Sequence, residues 1–201
     1  MSHWRKQQHQ ERYFRMAKKE GYRARSAYKL LQIQEKFRVI RKGDIVVDLG
    51  AAPGSWCQVV TKIVGQRGRI IALDLQEIEP VEGVTVLQGD MTDPDVQAQV
   101  IATAGRKVNV VLSDAAPSTT GVKLRDHVIS IELARAAFEV AQRLLVPKGN
   151  MVLKVFNGED LPPLIRDVKN AFHPVKVHTP PATRNESWEN FIVARGFKGG
   201  R

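Results

Sequence analysis

The sequence predicts an α/β fold: a mostly parallel seven-stranded sheet with an antiparallel last strand and helices on both faces. Three observations carry this expectation. Short runs rich in Val, Ile and Leu alternate with stretches of helical apolar spacing from about residue 45 onward. The runs are nearly continuous in apolar residues, as in strands covered on both sides, rather than alternating apolar and polar. The last two, VKVHT (175–179) and ENFIVARGF (189–197), have no helix between them, so they pair as an antiparallel hairpin at one edge.

Each element follows in order. The first 20 or so residues read as mobile or as a loose helix. From Ser26, a candidate N-cap, SAYKLLQIQEKF places Ala27, Leu30, Leu31 and Phe37 on one helical face. IVVDL (45–49) is a short β-branched strand, and 54–65 a helix closed by Gly65. RIIALDL (69–75) and VTVLQG (84–89) are strands, 93–105 is a helix, and VNVVLSD (108–114) is a strand. Residues 126–146 form a long helix with apolar spacing at Val128, Ile131, Leu133, Ala137, Val140 and Leu144. NMVLKVF (150–156) is a strand. LPPLIRDVKNAF (161–172) is a helix whose prolines fall in the first turn, where they are tolerated.

The 201 residues suffice to bury a sizeable core, and no apolar run approaches the length of a membrane span. The N-terminus has no apolar core segment of the secretory kind, and the single cysteine, Cys57, fits a reducing cytoplasm. The five histidines and Cys57 show no zinc-type spacing. The net charge of +10 is unevenly placed. Residues 1–42 hold 13 Lys/Arg against 3 Asp/Glu, whereas residues 43–201 hold 18 of each. A basic arm on a neutral body is the footprint of a polyanion partner. Trp4, Tyr13, Phe14, Tyr22 and Tyr28 are interleaved with the arm's charges and offer faces on which unpaired bases stack.

The first strand runs into DLGAAPGSW (48–56). No lysine follows in the position of a phosphate loop, and Gly50 and Gly54 lack the middle glycine of G-x-G-x-x-G, which also disfavours a nicotinamide dehydrogenase. What remains is a loop whose backbone passes close to a ligand without phosphates. Asp74 ends the second strand, where a carboxylate holds ribose hydroxyls. Asp90 ends the third, where one can accept from an adenine amino group. Taken singly, the glycines make a turn and the aspartates cap helices. At the ends of three consecutive strands they describe a site for an adenosine ligand, of which S-adenosylmethionine is the common example. Two more strands carry odd residues. Asp114 closes VNVVLSD, and Lys154 interrupts an apolar strand, where its ammonium must be paired or lose its charge. Lys29 lies on the basic helix. Glu189 opens the last strand, which runs antiparallel and so starts at the same rim.

These stretches, with RSAYKLLQI (25–33), QGDMTD (88–93), LSDAAPSTTG (112–121), LKVFNG (153–158) and SWENFIVA (187–194), resemble the FtsJ/RlmE family of ribose 2′-O-methyltransferases. The resemblance runs from about residue 23 to the C-terminus. It implies a Rossmann-like class I methyltransferase fold at 43–201, behind a basic RNA-binding extension and helix at 1–42. It implies a catalytic Lys-Asp-Lys-Glu tetrad on Lys29, Asp114, Lys154 and Glu189, and S-adenosylmethionine held by Gly54, Trp56, Asp74, Asp90 and Asp114, with no metal. Two positions depart from the family pattern. Ser55 stands where the family usually has glycine and can still cap the helix. Trp188 stands where the family often has arginine or a small polar residue, with Glu186 a rival to Glu189. The implied activity is methyl transfer to a ribose 2′-hydroxyl, with a uridine of large-subunit ribosomal RNA as the expected target, by a cytoplasmic monomer free of membrane. A tRNA ribose methyltransferase and a non-catalytic RNA-binding assembly factor are the alternatives, the latter disfavoured by four intact tetrad positions. The ribose hydroxyl is the weak partner in such a reaction, and Lys154 would take its proton or stabilise the developing alkoxide.

Overall fold

The computed structural model describes residues 12–117, 121–183 and 188–199. Among these residues, helix α1 covers 12–19 and is followed by α2 (Ala27–Phe37), β1 (Ile45–Leu49), α3 (Ser55–Val64), β2 (Arg69–Asp74), β3 (Val84–Gln88), α4 (Pro94–Ala104), β4 (Val108–Ser113), α5 (Lys123–Leu144), β5 (Leu145–Phe156), α6 (Leu161–Ala171), β6 (Val175–His178) and β7 (Glu189–Ala194). The seven strands form one sheet in the order β3-β2-β1-β4-β5-β7-β6. All pairings among β1 to β5 are parallel. β7 inserts between β5 and β6 and runs antiparallel to both. The expected hairpin is therefore present, but its second strand is interior and its first is the edge.

Side-chain alternation along the strands splits the core in two. Ile45, Val47 and Leu49 face one apolar layer with Val111, Met151, Leu153 and Ile192, under α4, α5 and α6. Val46, Val110, Leu112, Val152, Phe191 and Val193 face the other, under α1, α2 and α3. The two-sided covering explains why β1, β2 and β4 read as unbroken apolar runs. β3, at the edge, is only half-buried.

Several boundaries move. α5 begins at Lys123 and ends at Leu144, and β5 starts at Leu145, five residues before the expected strand, because Leu145 already pairs with Val108. Ser26 occupies the N-cap position of α2 but is itself helical and caps nothing with its side chain. Its hydroxyl is instead 2.7 Å from that of Ser55. Ser55 does not cap α3 either: Gly54 holds the N-cap position at φ 96, a left-handed backbone that glycine adopts without strain.

The basic segment is more deeply integrated than a charged tail. In α1, Tyr13, Met16 and Ala17 turn inward, while Arg12, Arg15, Lys18 and Lys19 are exposed on the opposite side. Tyr22 and Tyr28 are buried and meet edge-on at 5.9 Å, and Tyr13 packs on Tyr28 at 5.3 Å. Burial takes Tyr22 and Tyr28 out of the set of faces available to bases, leaving Phe14 exposed; Trp4 lies outside the described residues. Arg23 is also committed. Its guanidinium donates to the carbonyls of Pro53 (3.0 Å), Glu79 (2.7 Å) and Pro80 (2.9 Å), and its backbone N–H donates to Gln58. One fork thus ties the entry to α2, the glycine loop and the loop after β2 together. Arg23→Ala is expected to lower unfolding stability by about 2–3 kcal/mol in urea titrations, since three carbonyls lose a charged donor. Arg23→Lys should recover less than half of that, because one ammonium cannot span the three acceptors.

Candidate active site

The sheet reverses its strand order between β1 and β4, and ligands of open α/β sheets bind at the carboxyl ends of the strands beside such a point. A cavity of about 470 Å³ opens there, a volume suited to a nucleoside-sized ligand. Gly50, Ala52, Asp74, Gln76, Asp90, Asp114 and Lys154 are part of its wall. Gly50 is required by close approach: at φ 71, a Cβ there would lie 2.5 Å from the Cβ of Ala115. A second cavity of about 490 Å³ lies beside α3, between Gln58–Gly68 and Val81–Gly83, but it brings no set of converging functional groups together.

The carboxylates of the cavity are aimed by backbone donors. Asp74 Oδ2 accepts from Ala52 N–H at 2.8 Å and Oδ1 from Gln76 N–H at 2.9 Å, so the β2 end and the glycine loop hold each other. Each oxygen keeps a second lone pair for a ligand hydroxyl. Asp90 Oδ1 accepts from the N–H and the hydroxyl of Thr92, an Asx turn ahead of the α4 cap Asp93, while Oδ2 takes no partner among the described residues. Gly54 and Trp56 stand outside the cavity wall. Trp56 is a core residue, 2% exposed, whose indole N–H donates to Ser26 O at 2.9 Å and whose ring lies 5.8 Å from Phe191.

The four tetrad residues converge, and strand parity explains why. Leu112, Val152 and Phe191 face the layer under α2, so the positions two residues toward the rim, Asp114, Lys154 and Glu189, face it too. Lys154 Nζ donates to Asp114 O at 2.8 Å and to Asp114 Oδ1 at 3.1 Å, and stands 3.9 Å from Glu189 Oε2. Glu189 Oε1 is 2.5 Å from Lys29 Nζ, supplied by α2. Lys29, Lys154 and Glu189 are buried, at 7%, 9% and 8% exposure. Two cations and two carboxylates thus form one chain, Asp114–Lys154–Glu189–Lys29, with only its Asp114–Lys154 end in the cavity wall. Glu186 lies outside the described residues.

Sequence reasoning did not single out Asp48, the acidic residue of DLG. It is fully buried on β1, and burial pushes its carboxyl up to about 8; the Cys57 thiol, donating to Oδ2 at 3.3 Å, opposes this, and the charges of Asp114 and Asp74 add to it. Burial and the neighbouring Asp48 in turn push the Cys57 thiol up, so it stays protonated. An acidic residue inside an otherwise apolar five-residue strand was the available signal.

Comparison with known proteins gives the family. Residues 22–197 match the model of the FtsJ-like methyltransferase family. Proteins named ribosomal RNA large subunit methyltransferase E are similar throughout. The one from Methanothrix thermoacetophila is 48% identical, over 92% of this chain and 72% of its own. That from Methanothermobacter thermautotrophicus is 43% identical, over 98% and 94%. Among solved structures, a ribosomal RNA methyltransferase from Plasmodium falciparum superposes with a TM-score of 0.80 at 28% identity, covering 89% of this chain and all of the other. The family match makes the chain a methyltransferase, and its open sheet places the nucleoside-sized cavity at the switch point. The chain belongs to the FtsJ-like methyltransferase family.

The raised Asp48 carboxyl gives a stability signature. Between about pH 4 and about pH 8 the folded chain holds a proton that the unfolded chain, at its ordinary 3.8, has released. Stability therefore falls as pH rises through that window, by up to about 1.4 kcal/mol per pH unit. Asp48→Asn removes this slope, so urea midpoints of the variant should gain on the parent as pH is raised. Parallel curves for the two proteins would show that the folded chain does not hold the proton.

Proposed function

We propose that this protein transfers the methyl group of S-adenosylmethionine to a ribose 2′-hydroxyl of large-subunit ribosomal RNA in the cytoplasm, with a uridine as the target. The observation that carries the reading is the buried Lys29–Glu189–Lys154–Asp114 chain, whose Lys154 end opens into the cavity. The names of the relatives supply the RNA.

The residues present suit the cofactor. The glycine loop leaves room where a Cβ would clash, and Asp74 and Asp90 present oriented acceptors at the ends of β2 and β3. In this reading Asp74 holds the ribose hydroxyls, Asp90 accepts from the adenine amino group and Asp114 lines the remainder, while Gly54 and Trp56, behind the wall, act only by fixing the glycine loop and the start of α3. Bound there, S-adenosylmethionine supplies an electrophilic methyl group. The chain's own residues act on the nucleophile. Lys154 Nζ, fixed by Asp114 and faced by Glu189, would meet the 2′-hydroxyl and, as a neutral amine, accept its proton while the oxygen–methyl bond forms and the sulfur–methyl bond breaks, the sulfur leaving as a neutral thioether. Lys29 holds Glu189 in place from α2. Fixed alignment of the hydroxyl within this rigid network contributes alongside proton removal. Residues 1–42 bind RNA phosphate, with the exposed cations of α1 as contacts among the described residues.

The direct test is transfer of tritium from labelled S-adenosylmethionine to large ribosomal subunits, free ribosomal RNA and tRNA, followed by mapping of the labelled nucleotide. Label in tRNA alone would overturn the ribosomal assignment, and label in none would overturn the enzymatic one. Lys154→Ala is expected to reduce turnover by about 10²–10⁴-fold while cofactor and RNA affinities stay near those of the parent. Lys154→Arg should be as slow as Lys154→Ala, because guanidinium accepts no proton; a fast arginine variant would assign Lys154 a purely electrostatic role.

The arm is tested by salt. The logarithm of RNA affinity should fall linearly with the logarithm of salt concentration. Replacing Arg12, Lys18 and Lys19 by glutamine should flatten that line by about one unit per lost phosphate contact. An unchanged slope would remove α1 from the RNA interface.

A further inference from the structure

Trp188 stands directly before Glu189, the first residue of β7. Its ring stacks on Phe156, the last residue of β5, with centroids 4.9 Å apart and planes inclined at 28°. Phe156 is buried and held at both backbone polar atoms by α5. Its N–H donates to Ser130 Oγ at 3.0 Å, and its carbonyl lies 3.2 Å from His127 Nδ1. The Trp188 carbonyl accepts from Asn157 N–H at 2.8 Å. Beside it, Thr179 donates to Asn190 Oδ1 at 2.5 Å and Asn190 Nδ2 to Asn157 Oδ1 at 2.8 Å, stitching β5 and β7 to the end of β6. Trp188 as a residue is only half-buried, and its ring, backed by that of Phe156, is held in a fixed position at the surface.

That surface lies at the catalytic rim. The residue next to it is bonded to Lys29 and stands 3.9 Å from Lys154 Nζ. Trp188 and the amides beside it carry no charge, so they do not offer a phosphate the ionic partner it seeks. An indole face is the standard surface for a nucleobase removed from its own stack, and such stacking tolerates any base. We infer that Trp188 is a base-stacking residue: it receives an unstacked base at or next to the ribose to be methylated. The substrate is then a nucleotide in a single-stranded or splayed segment of RNA, because a base inside a continuous helix has no free face. This deepens the RNA methyltransferase reading and rests on it for the identity of the reacting ribose.

Four proteins test it: the parent, Trp188→Phe, Trp188→Leu and Trp188→Ala. Leucine keeps an apolar cover on Phe156 and lacks an aromatic face, whereas phenylalanine keeps both. With tritiated S-adenosylmethionine and protein-free large-subunit ribosomal RNA, kcat/KM for RNA should fall by about 5- to 150-fold in the leucine and alanine variants. The phenylalanine variant should stay within about threefold, since its ring still stacks. KM for S-adenosylmethionine and the melting temperature of the leucine variant should match the parent. A second readout needs no catalysis: with Trp4→Phe introduced into every protein to silence the arm, a short single-stranded oligouridine should quench tryptophan fluorescence, and most of that quench should vanish when Trp188→Phe is added. A blunt RNA duplex should not produce it. Parental efficiency in Trp188→Leu would show that the side chain only covers Phe156 and would overturn the inference, as would a quench that survives in Trp188→Phe. A parent that labels no RNA but shows the Trp188-dependent quench would sink the catalytic reading and leave the stacking site standing. A parent that does neither would sink both.

Discussion

The structure depends on one interaction: the chain of alternating charges Lys29–Glu189–Lys154–Asp114, buried between α2 and the sheet. Each member would be expensive to bury alone, and removing one partner from such a set costs about 3–5 kcal/mol because the others lose their compensation. Together they sum to zero charge and fix four segments of chain that are distant in sequence. The loop after β4, the interior of β5, the start of β7 and the second helix meet at one place, where each charge finds an opposite one. This constraint sets how α2 lies on its face of the sheet, which in turn positions Ser26 against Ser55 and Trp56.

Much of this was legible in the sequence because it rests on two periodicities. Near-continuous apolar strands and helical apolar spacing require a covered parallel sheet, and a lysine inside NMVLKVF requires a partner. Strand parity then brings Asp114, Lys154 and Glu189 to one face. The topology of the final pair was half legible. Its antiparallel sense follows from the short connection, but the insertion of β7 inside β6 depends on which neighbour offers β5 the better apolar surface, and that is a property of the assembled sheet.

What stayed hidden was the use made of polar side chains. Ser26 and Ser55 have the residue type of helix caps, yet each finds the other's hydroxyl closer than a backbone N–H. Arg23 belongs by composition to a phosphate-binding arm, yet three carbonyls exposed by two tight loops claim its guanidinium. Tyr22 and Tyr28 look like base platforms beside the basic residues, but they fill the space between α1, α2 and α3. Composition states what a side chain can bond to, and only the fold decides which partner is nearest. Asp48 is the opposite case: its place in the strand was plain, but the consequence of full burial depends on α3 closing over it.

The interior position of β7 bears on how the protein is made. In sequence it follows every other strand, yet it lies between two of them. On the translating ribosome it emerges after β1 to β6, and until it is added the edge of β5 is open and β6, whose partner in the sheet is β7, has no strand to pair with. During that interval Lys154 has Asp114 as its carboxylate partner, but Lys29 is without Glu189, which joins the two lysines in the finished fold. Completion of the sheet and completion of the charge set are one event. A chain interrupted before Glu189 lacks both the strand that β5 and β6 pair with and the carboxylate that joins Lys29 to Lys154.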